Sequence, residues 1–419
     1  MAQWIYQVGI QLMKLFLGLH QYFNEKSALA VAGRKNLFPA LETALQNNDK
    51  PLIWFHAASL GEFEQGRPLM EHFKKHHPEY FILLSFFSPS GYEVRKNYEH
   101  ANYVCYMPLD TAANAHKFIA LTNPKMAFFI KYEFWHFHLQ ALAENGSWVF
   151  SISSIFRSKQ AFFKWYGGFN RKMLYQIDHF FVQNSLSSAL LRGINLNNIS
   201  IVGDTRFDRV ATIVAKAQEI PGMQQFTADH KVLVGGSTWE PDVACFAPFL
   251  RANKGWKAIV APHDISETSL KMHEQVLGVP SQRWSAYQKQ ADDSVQVIII
   301  DNIGMLTSLY QYGTIAFIGG AFGAGLHNTL EAACFGLPLY FGDKKYAKFQ
   351  EAKDLLSIGA AESMATAAAF STAVEDKVKQ NKIATTGERS LQYIQKNIGA
   401  TKKIMTHIDL ILKEIADER

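Results

Sequence analysis

The residues best suited to chemistry stand where apolar runs give way to helical stretches. In His56-Ala57-Ala58-Ser59-Leu60-Gly61-Glu62, an apolar run meets Ser59, Gly61 and Glu62 in quick succession. A carboxylate so placed can take the proton of a substrate hydroxyl in a transition state. Gly61, lacking a Cβ, lets a ligand come close to the backbone. The Ser59–Glu62 spacing is equally that of a helix capping box, and both readings stand. After the run MAFFI come Lys131, Glu133 and Trp135. Charges at the end of a buried strand are costly unless paired or used; the alternative is an exposed loop. In Gly203-Asp204-Thr205-Arg206-Phe207-Asp208, Arg206 suits bidentate contact with a phosphate or carboxylate. It suits an ion pair with Asp204 or Asp208 equally well.

Two later junctions suit anions. Gly235-Gly236-Ser237-Thr238-Trp239-Glu240 reads as the opening of a helix at Ser237, whose backbone N–H groups would face a phosphate. Ser237 and Glu240 again have capping-box spacing. The stretch from Gly319 to Gly325 is rich in glycine, and a helix is expected to begin near Asn328. Asn328 and Glu331 suit either a helix start or the ribose hydroxyls and phosphate of a nucleotide. The glycine density favours binding, although the pattern is neither G-x-G-x-x-G nor a P-loop. No H-E-x-x-H, G-x-S-x-G or His/Cys cluster occurs, and Asp292-Asp293 is isolated. No metal and no cofactor are expected.

The elements that must hold these residues alternate strand and helix. Strands are expected at 51–58, 80–86, 103–107, 126–132, 147–152, 178–183 and 199–203, then at 231–235, 257–261, 295–301, 314–319 and 337–341. Continuous apolar strands between helices imply parallel sheets covered on both faces. The stretch 217–230, with Pro221-Gly222, reads as a linker, and 388–417 as one long helix. The expected division is 1–30 as a membrane-associating helix, 31–218 and 225–390 as two Rossmann-like domains, and 391–419 as a C-terminal helix packing back on the first. In such sheets ligands bind beyond the carboxyl ends of the strands.

Composition agrees with a folded chain. Of 419 residues, 48% are hydrophobic and 19% charged, which excludes disorder. Cys105, Cys245 and Cys334 are far apart in apolar runs, as buried thiols in a reducing compartment are. The net charge of +5 is mild, and no nucleic-acid partner is expected. The charge is uneven, however. Residues 145–177 carry Arg157, Lys159, Lys164, Arg171 and Lys172 with no acid, and Phe156, Phe162, Phe163, Trp165, Tyr166 and Phe169 are interleaved with them. Residues 1–23 lack a basic n-region and a cleavage site, so they do not read as a signal peptide. Gln3, Gln7, Gln11, Lys14, Gly18 and Gln21 recur at three- and four-residue intervals, a polar stripe on an otherwise apolar helix. Such a helix lies in a membrane interface or packs on its own protein.

Taken together, these junctions resemble the Kdo (3-deoxy-D-manno-oct-2-ulosonic acid) transferases of lipopolysaccharide synthesis, from about residue 30 into the final helix. Ser59-Leu60-Gly61-Glu62 matches S-x-G-E, and Ser88-Pro89-Ser90-Gly91 matches a T/S-P-T/S-G turn. Glu133-Phe134-Trp135 matches the second glutamate of E-T-E-L-W-P, with Lys131 in place of the first glutamate and His136 of the proline. Gly203 to Asp208 matches G-N-L-K-F-D, Arg206 standing for the lysine. Ser237-Thr238 begins S-T-H, with Trp239 for histidine, and Pro262-His263 stands where P-R-H is usual. Asp301 to Leu306 matches D-T-M-G-E-L, with Met305 replacing the glutamate, and 326–331 matches G-H-N-P-L-E apart from Leu326 and Thr329.

The resemblance implies an α/β GT-B glycosyltransferase fold, two doubly wound domains facing a central cleft. It implies CMP-Kdo as donor, a lipid A precursor (lipid IVA type) as acceptor, and a place on the cytoplasmic face of the inner membrane. Glu62 becomes the catalytic base, with Glu133 and Arg206 assisting, and Ser59, Gly61 and Lys131 face the acceptor. Ser237, Thr238, Pro262, His263, Ile303, Gly304, Met305, Asn328, Thr329, Leu330 and Glu331 are assigned to the donor. A GT-B-like sugar-nucleotide epimerase, or a transferase using another nucleotide sugar, is the alternative.

Overall fold

Every apolar run expected as a strand is one, because its side chains are needed on both faces of a sheet. The computed structural model describes residues 2–292 and 294–417, with side chains to 414. The chain divides into two compact units, Met1–Asp208 with Gly399–Arg419, and Arg209–Ile398.

The first unit holds β1 (Leu52–Ala57), β2 (Phe81–Phe86), β3 (Tyr103–Tyr106), β4 (Pro124–Ile130), β5 (Trp148–Ser154), β6 (His179–Val182) and β7 (Ile199–Ile201). They form one parallel sheet in the order β3-β2-β1-β4-β5-β6-β7. Side chains alternate across it, so β1 feeds two cores. Trp54 packs with Leu83, Phe118 and Phe129 on one face. Ile53 and Phe55 pack with Phe128 and Phe150 on the other. Phe55 stacks on Phe128 at 4.7 Å, and Phe128 on Phe150 at 5.1 Å. Each such buried ring contributes about 1.5–3 kcal/mol by burial alone.

The second unit holds β8 (Lys231–Thr238), β9 (Trp256–Pro262), β10 (Ser281–Arg283), β11 (Val297–Ile299), β12 (Ile315–Ile318), β13 (Leu339–Gly342) and β14 (Ala361–Met364). Their order is β10-β11-β9-β8-β12-β13-β14, again parallel. The expected strands omit β10 and β14. These are the two edges of this sheet, and the sequences Ser-Gln-Arg and Ala-Glu-Ser-Met carry almost no apolar signal.

Three local features differ from expectation. The tail is two helices, Ile383–Asn397 and Ala400–Asp417, broken at Gly399, whose φ of +109° ends the helical path. Ala400, Ile404, Met405 and Ile408 of the last helix are buried in the first unit's core. The helix expected at Ser237 begins at Glu240 instead, since Ser237 (φ +52°) still belongs to β8. Near Asn328 there is only the short helix Leu330–Ala333.

The N-terminal helix Ala2–His20 has three faces rather than two. Tyr6 and Ile10 turn inward. The Tyr6 hydroxyl donates to Asp110 Oδ2 at 2.6 Å, and its ring meets His136, Phe137 and Phe169. The glutamine stripe makes a second face. The third is apolar and exposed, with Trp4, Ile5, Leu12, Leu15, Phe16 and Leu19 each 59–66% accessible. Among the described residues, no helix is long and apolar enough to cross a membrane.

Candidate active site

In both sheets the chain reverses direction next to its first strand, between β1 and β4 and between β8 and β12. Such switch points open a crevice at the carboxyl ends of the strands. Glu62, Lys131 and Glu133 follow the strands that flank the first, and Ser237 and Thr238 end a strand that flanks the second.

At the first, the helix Leu60–His76 starts after β1 and delivers Glu62, while the segment after β4 delivers Lys131 and Glu133. The capping box is not formed, since the Ser59 side chain makes no cap bond. Gly61 is exposed, with open space where a Cβ would stand. Glu62 is buried, and its Oε2 has no hydrogen-bond partner. Burial raises its carboxyl to about 7, and the charge of Glu133 adds to the rise. Lys131 and the backbone N–H groups of Ala58 and Ser59 pull the other way.

Lys131 has a φ of +66°, a left-handed backbone that a lysine adopts at a cost of order 1 kcal/mol. Its own N–H donates to the Ile152 carbonyl at 2.9 Å, which ties this turn to β5. Glu133 Oε2 accepts from Trp135 Nε1 at 3.1 Å and lies 3.8 Å from His56 Nε2. Trp135 in turn stacks on Phe87 at 4.8 Å.

Arg206 is reached from Glu62 through one turn of helix. Gln65 Nε2 donates to Asp204 at 3.1 Å, and Asp204 Oδ2 accepts from Arg206 Nε and Nη2 at 3.0 and 2.8 Å. The Thr205 hydroxyl donates to the Gln65 carbonyl and meets Ser153 Oγ at 2.8 Å. Arg206 is therefore ion-paired, as one of its two sequence readings required, and its side chain still keeps 28% of its surface open.

At the second switch point, Asp242 binds the elements together. Its Oδ2 accepts from the Trp239 and Gly320 backbone N–H groups at 2.9 and 2.8 Å, and burial raises its carboxyl to about 6. The cap is thus Trp239 with Asp242, two residues beyond the expected Ser237 with Glu240, and this helix start already holds an anion of its own. Part of the glycine density is packing. A Cβ on Gly319 would come within 2.2 Å of the Ser237 carbonyl oxygen.

The donor candidates separate into three sets. Thr307 Oγ1 donates to Glu331 Oε2 at 3.2 Å, and Asn328 Nδ2 to Glu331 Oε1 at 3.0 Å, so the short helix Leu306–Leu309, which follows the Ile303–Gly304–Met305 segment, is tied to Glu331. Ile303 is 86% exposed. His263 belongs to a stack that sequence reasoning missed, with Trp239 at 4.7 Å on one contact and His327 at 4.6 Å on the other. Burial and the neighbouring His263 lower His327 to about 4. Thr238, Pro262, Thr329 and Leu330 are buried, and Thr238 is spent on His273 Nε2 at 3.1 Å.

Among the described residues, no group of three His, Cys, Asp or Glu is arranged to hold a metal. Asp292 bonds Ser294, and Asp293 lies outside the described residues.

Comparison with known proteins gives this geometry several relatives. Residues 33–209 match the family model of 3-deoxy-D-manno-octulosonic-acid transferase (kdotransferase). The chain is similar to the 3-deoxy-D-manno-octulosonic acid transferase of Chlamydophila psittaci, 26% identical over 321 residues, 74% of this chain and 73% of that one. The enzyme of the same name from Aquifex aeolicus is 26% identical over 314 residues, 74% of this chain and 80% of that one. In fold it is similar to UDP-GlcNAc 2-epimerase from Neisseria meningitidis, with TM-score 0.61 and 13% identity over 87% of this chain and 100% of that one. A glycosyltransferase from Rickettsia africae gives TM-score 0.56 and 11% identity over the same shares of the two chains. The two parallel α/β units are those of the GT-B fold. Over residues 33–209, and along most of its length, the chain is similar to the Kdo transferases, a group of glycosyltransferases.

Proposed function

We propose that the protein moves Kdo from CMP-Kdo to a hydroxyl of a lipid A precursor (lipid IVA type) in lipopolysaccharide biosynthesis, inverting the anomeric carbon. The observation that carries this reading is the Glu62 carboxyl, buried, raised to about 7 and unpaired at Oε2. A base of that strength is matched to neutral pH. Glu62 takes the hydroxyl proton as the acceptor oxygen bonds to the anomeric carbon. The bond from that carbon to the phosphate oxygen breaks, and CMP leaves with the electron pair. Arg206 and Lys131 offset the negative charge of the donor. Glu133 orients the acceptor, which lies against Ser59 and Gly61. On the second unit, Asn328, Glu331 and the 303–305 segment take the cytidine and ribose, with Ser237 and His263 near the phosphate.

The exposed apolar stripe of the helix Ala2–His20 supports a second part of the proposal, attachment to the cytoplasmic face of the inner membrane. Phe169 packs on Tyr6, which sets the segment bearing exposed Trp165, Tyr166 and the basic side chains beside this helix. Such a surface suits anionic headgroups. The test of the base is Glu62→Gln in a CMP-release assay. Turnover is lost while CMP-Kdo binds as before; retained turnover removes Glu62 from that role.

A further inference from the structure

Behind Glu133 lies a line of buried polar groups that the reaction as described leaves unused. Trp54 and His56 lie two apart on β1 and so share a face of the sheet. Ser85 sits opposite His56 on β2. All three are fully buried. Trp54 Nε1 donates to Ser85 Oγ at 2.8 Å, and Ser85 Oγ lies 2.8 Å from His56 Nδ1.

The direction of this line follows from donor counting. An indole N–H only donates, so Ser85 Oγ is the acceptor of that bond. The serine then has its own proton to place in a site closed to water, and His56 Nδ1 is the ring nitrogen that receives it. That leaves the imidazole proton on Nε2, which has no hydrogen-bond partner and points to Glu133 Oε2, 3.8 Å away. A small rotation of the Glu133 side chain closes that gap, as catalytic contacts often tighten when substrate binds. His56 stays neutral, since burial lowers its basicity. The titratable groups that act on it are Glu133, after β4, and His138, on the helix His136–Glu144; Glu133 in turn acts on Glu62, as does Lys131. Phe129 closes the remaining side with its ring.

We propose that His56 is a positioning residue: the line Trp54–Ser85–His56 presents an N–H to Glu133 Oε2 and keeps that carboxylate close enough to Glu62 for its charge to act there. This rests on Glu62 as the base. Trp135 Nε1 already donates to the same Glu133 oxygen at 3.1 Å, and the His56 N–H adds a second aromatic donor once the 3.8 Å gap closes. The Glu133 charge, so held, repels that of Glu62 and keeps Glu62 a base of neutral strength. Freed from the line, Glu133 swings outward and the repulsion weakens.

The test uses the full chain and two kinds of reading. Nitrogen-15 NMR of labelled histidine is expected to show His56 with Nδ1 unprotonated; the reverse tautomer overturns the proposal. In CMP release from CMP-Kdo, Ser85→Ala and His56→Phe are expected to lower kcat about tenfold with an unchanged KM for the donor, and to move the acid limb down by about half a pH unit. His56→Gln, which keeps an N–H near the Nε2 position, is expected to restore the limb. An acid limb that stays in place in both Ser85→Ala and His56→Phe overturns the proposal. Ser85→Ala changes one small atom and guards against a His56 variant that fails to fold. If the wild-type chain releases no CMP, the base assignment fails separately. Carbon-13 titration of Glu62 still decides the line, which is overturned if Ser85→Ala leaves that titration unmoved.

Discussion

Replacing Glu62 by glutamine should make the protein more stable, and only above a defined pH. The wild-type carboxyl is raised from 4.5 to about 7, by burial first and by Glu133 second. An acid raised by folding favours the folded state below its unfolded value and loses that advantage as pH rises to its folded value. The cost therefore accumulates between pH 4.5 and 7 and is complete above 7. At about 1.36 kcal/mol per pH unit, the full cost is roughly 3 kcal/mol. Glutamine has nearly the same shape and no charge, so Glu62→Gln escapes the cost but keeps the packing against β1. Thermal unfolding followed by circular dichroism at pH 4.5 and pH 8 measures the difference. The first unit's transition should rise by roughly 6–12 °C at pH 8 and hardly at all at pH 4.5. A variant equally stabilised at both pH values, or destabilised at pH 8, would refute the view of Glu62 as a carboxyl whose charge burial disfavours.

The other expectations concern charge, surface and donor. Arg206→Ala should lower kcat about a hundredfold; an unchanged rate would reduce Arg206 to an ion pair with Asp204. Serine at Leu12, Phe16 and Leu19 together should weaken binding to anionic vesicles by about tenfold per residue. Unchanged sedimentation with vesicles would move the contact to the 145–177 stretch. CMP should raise the melting temperature of the second unit and UDP should not; the opposite result would favour a relative that uses another nucleotide sugar.

The sheets were legible because their strands are buried on both faces and read as unbroken apolar runs. The edges β10 and β14 were not, since an edge strand of three or four polar residues looks like loop. The first switch point was legible as Glu62, Lys131 and Glu133, each next to a strand end. Which reading of Ser59 and Glu62 applied was not, because spacing alone does not say whether a side chain bends back to cap its helix. At the second switch point Ser237 and Glu240 had the right interval and the wrong register, since β8 runs three residues beyond the expected 231–235. The Trp239–His263–His327 stack joins three segments distant in sequence, and no spacing rule reports it. The same holds for Ser85 and His56, neighbours only across β1 and β2. In the N-terminal helix the polar stripe was visible, but one stripe cannot tell which of the flanking faces packs on Tyr6's partners and which stays open.

The most direct measurement is the mass of the product formed when the full chain meets CMP-Kdo and a defined lipid A precursor on anionic vesicles. The wild-type chain should yield the precursor carrying added Kdo with release of CMP, and Glu62→Gln should yield none while still binding CMP-Kdo. An unchanged precursor with the wild-type chain, or added Kdo with Glu62→Gln, would contradict transfer through Glu62.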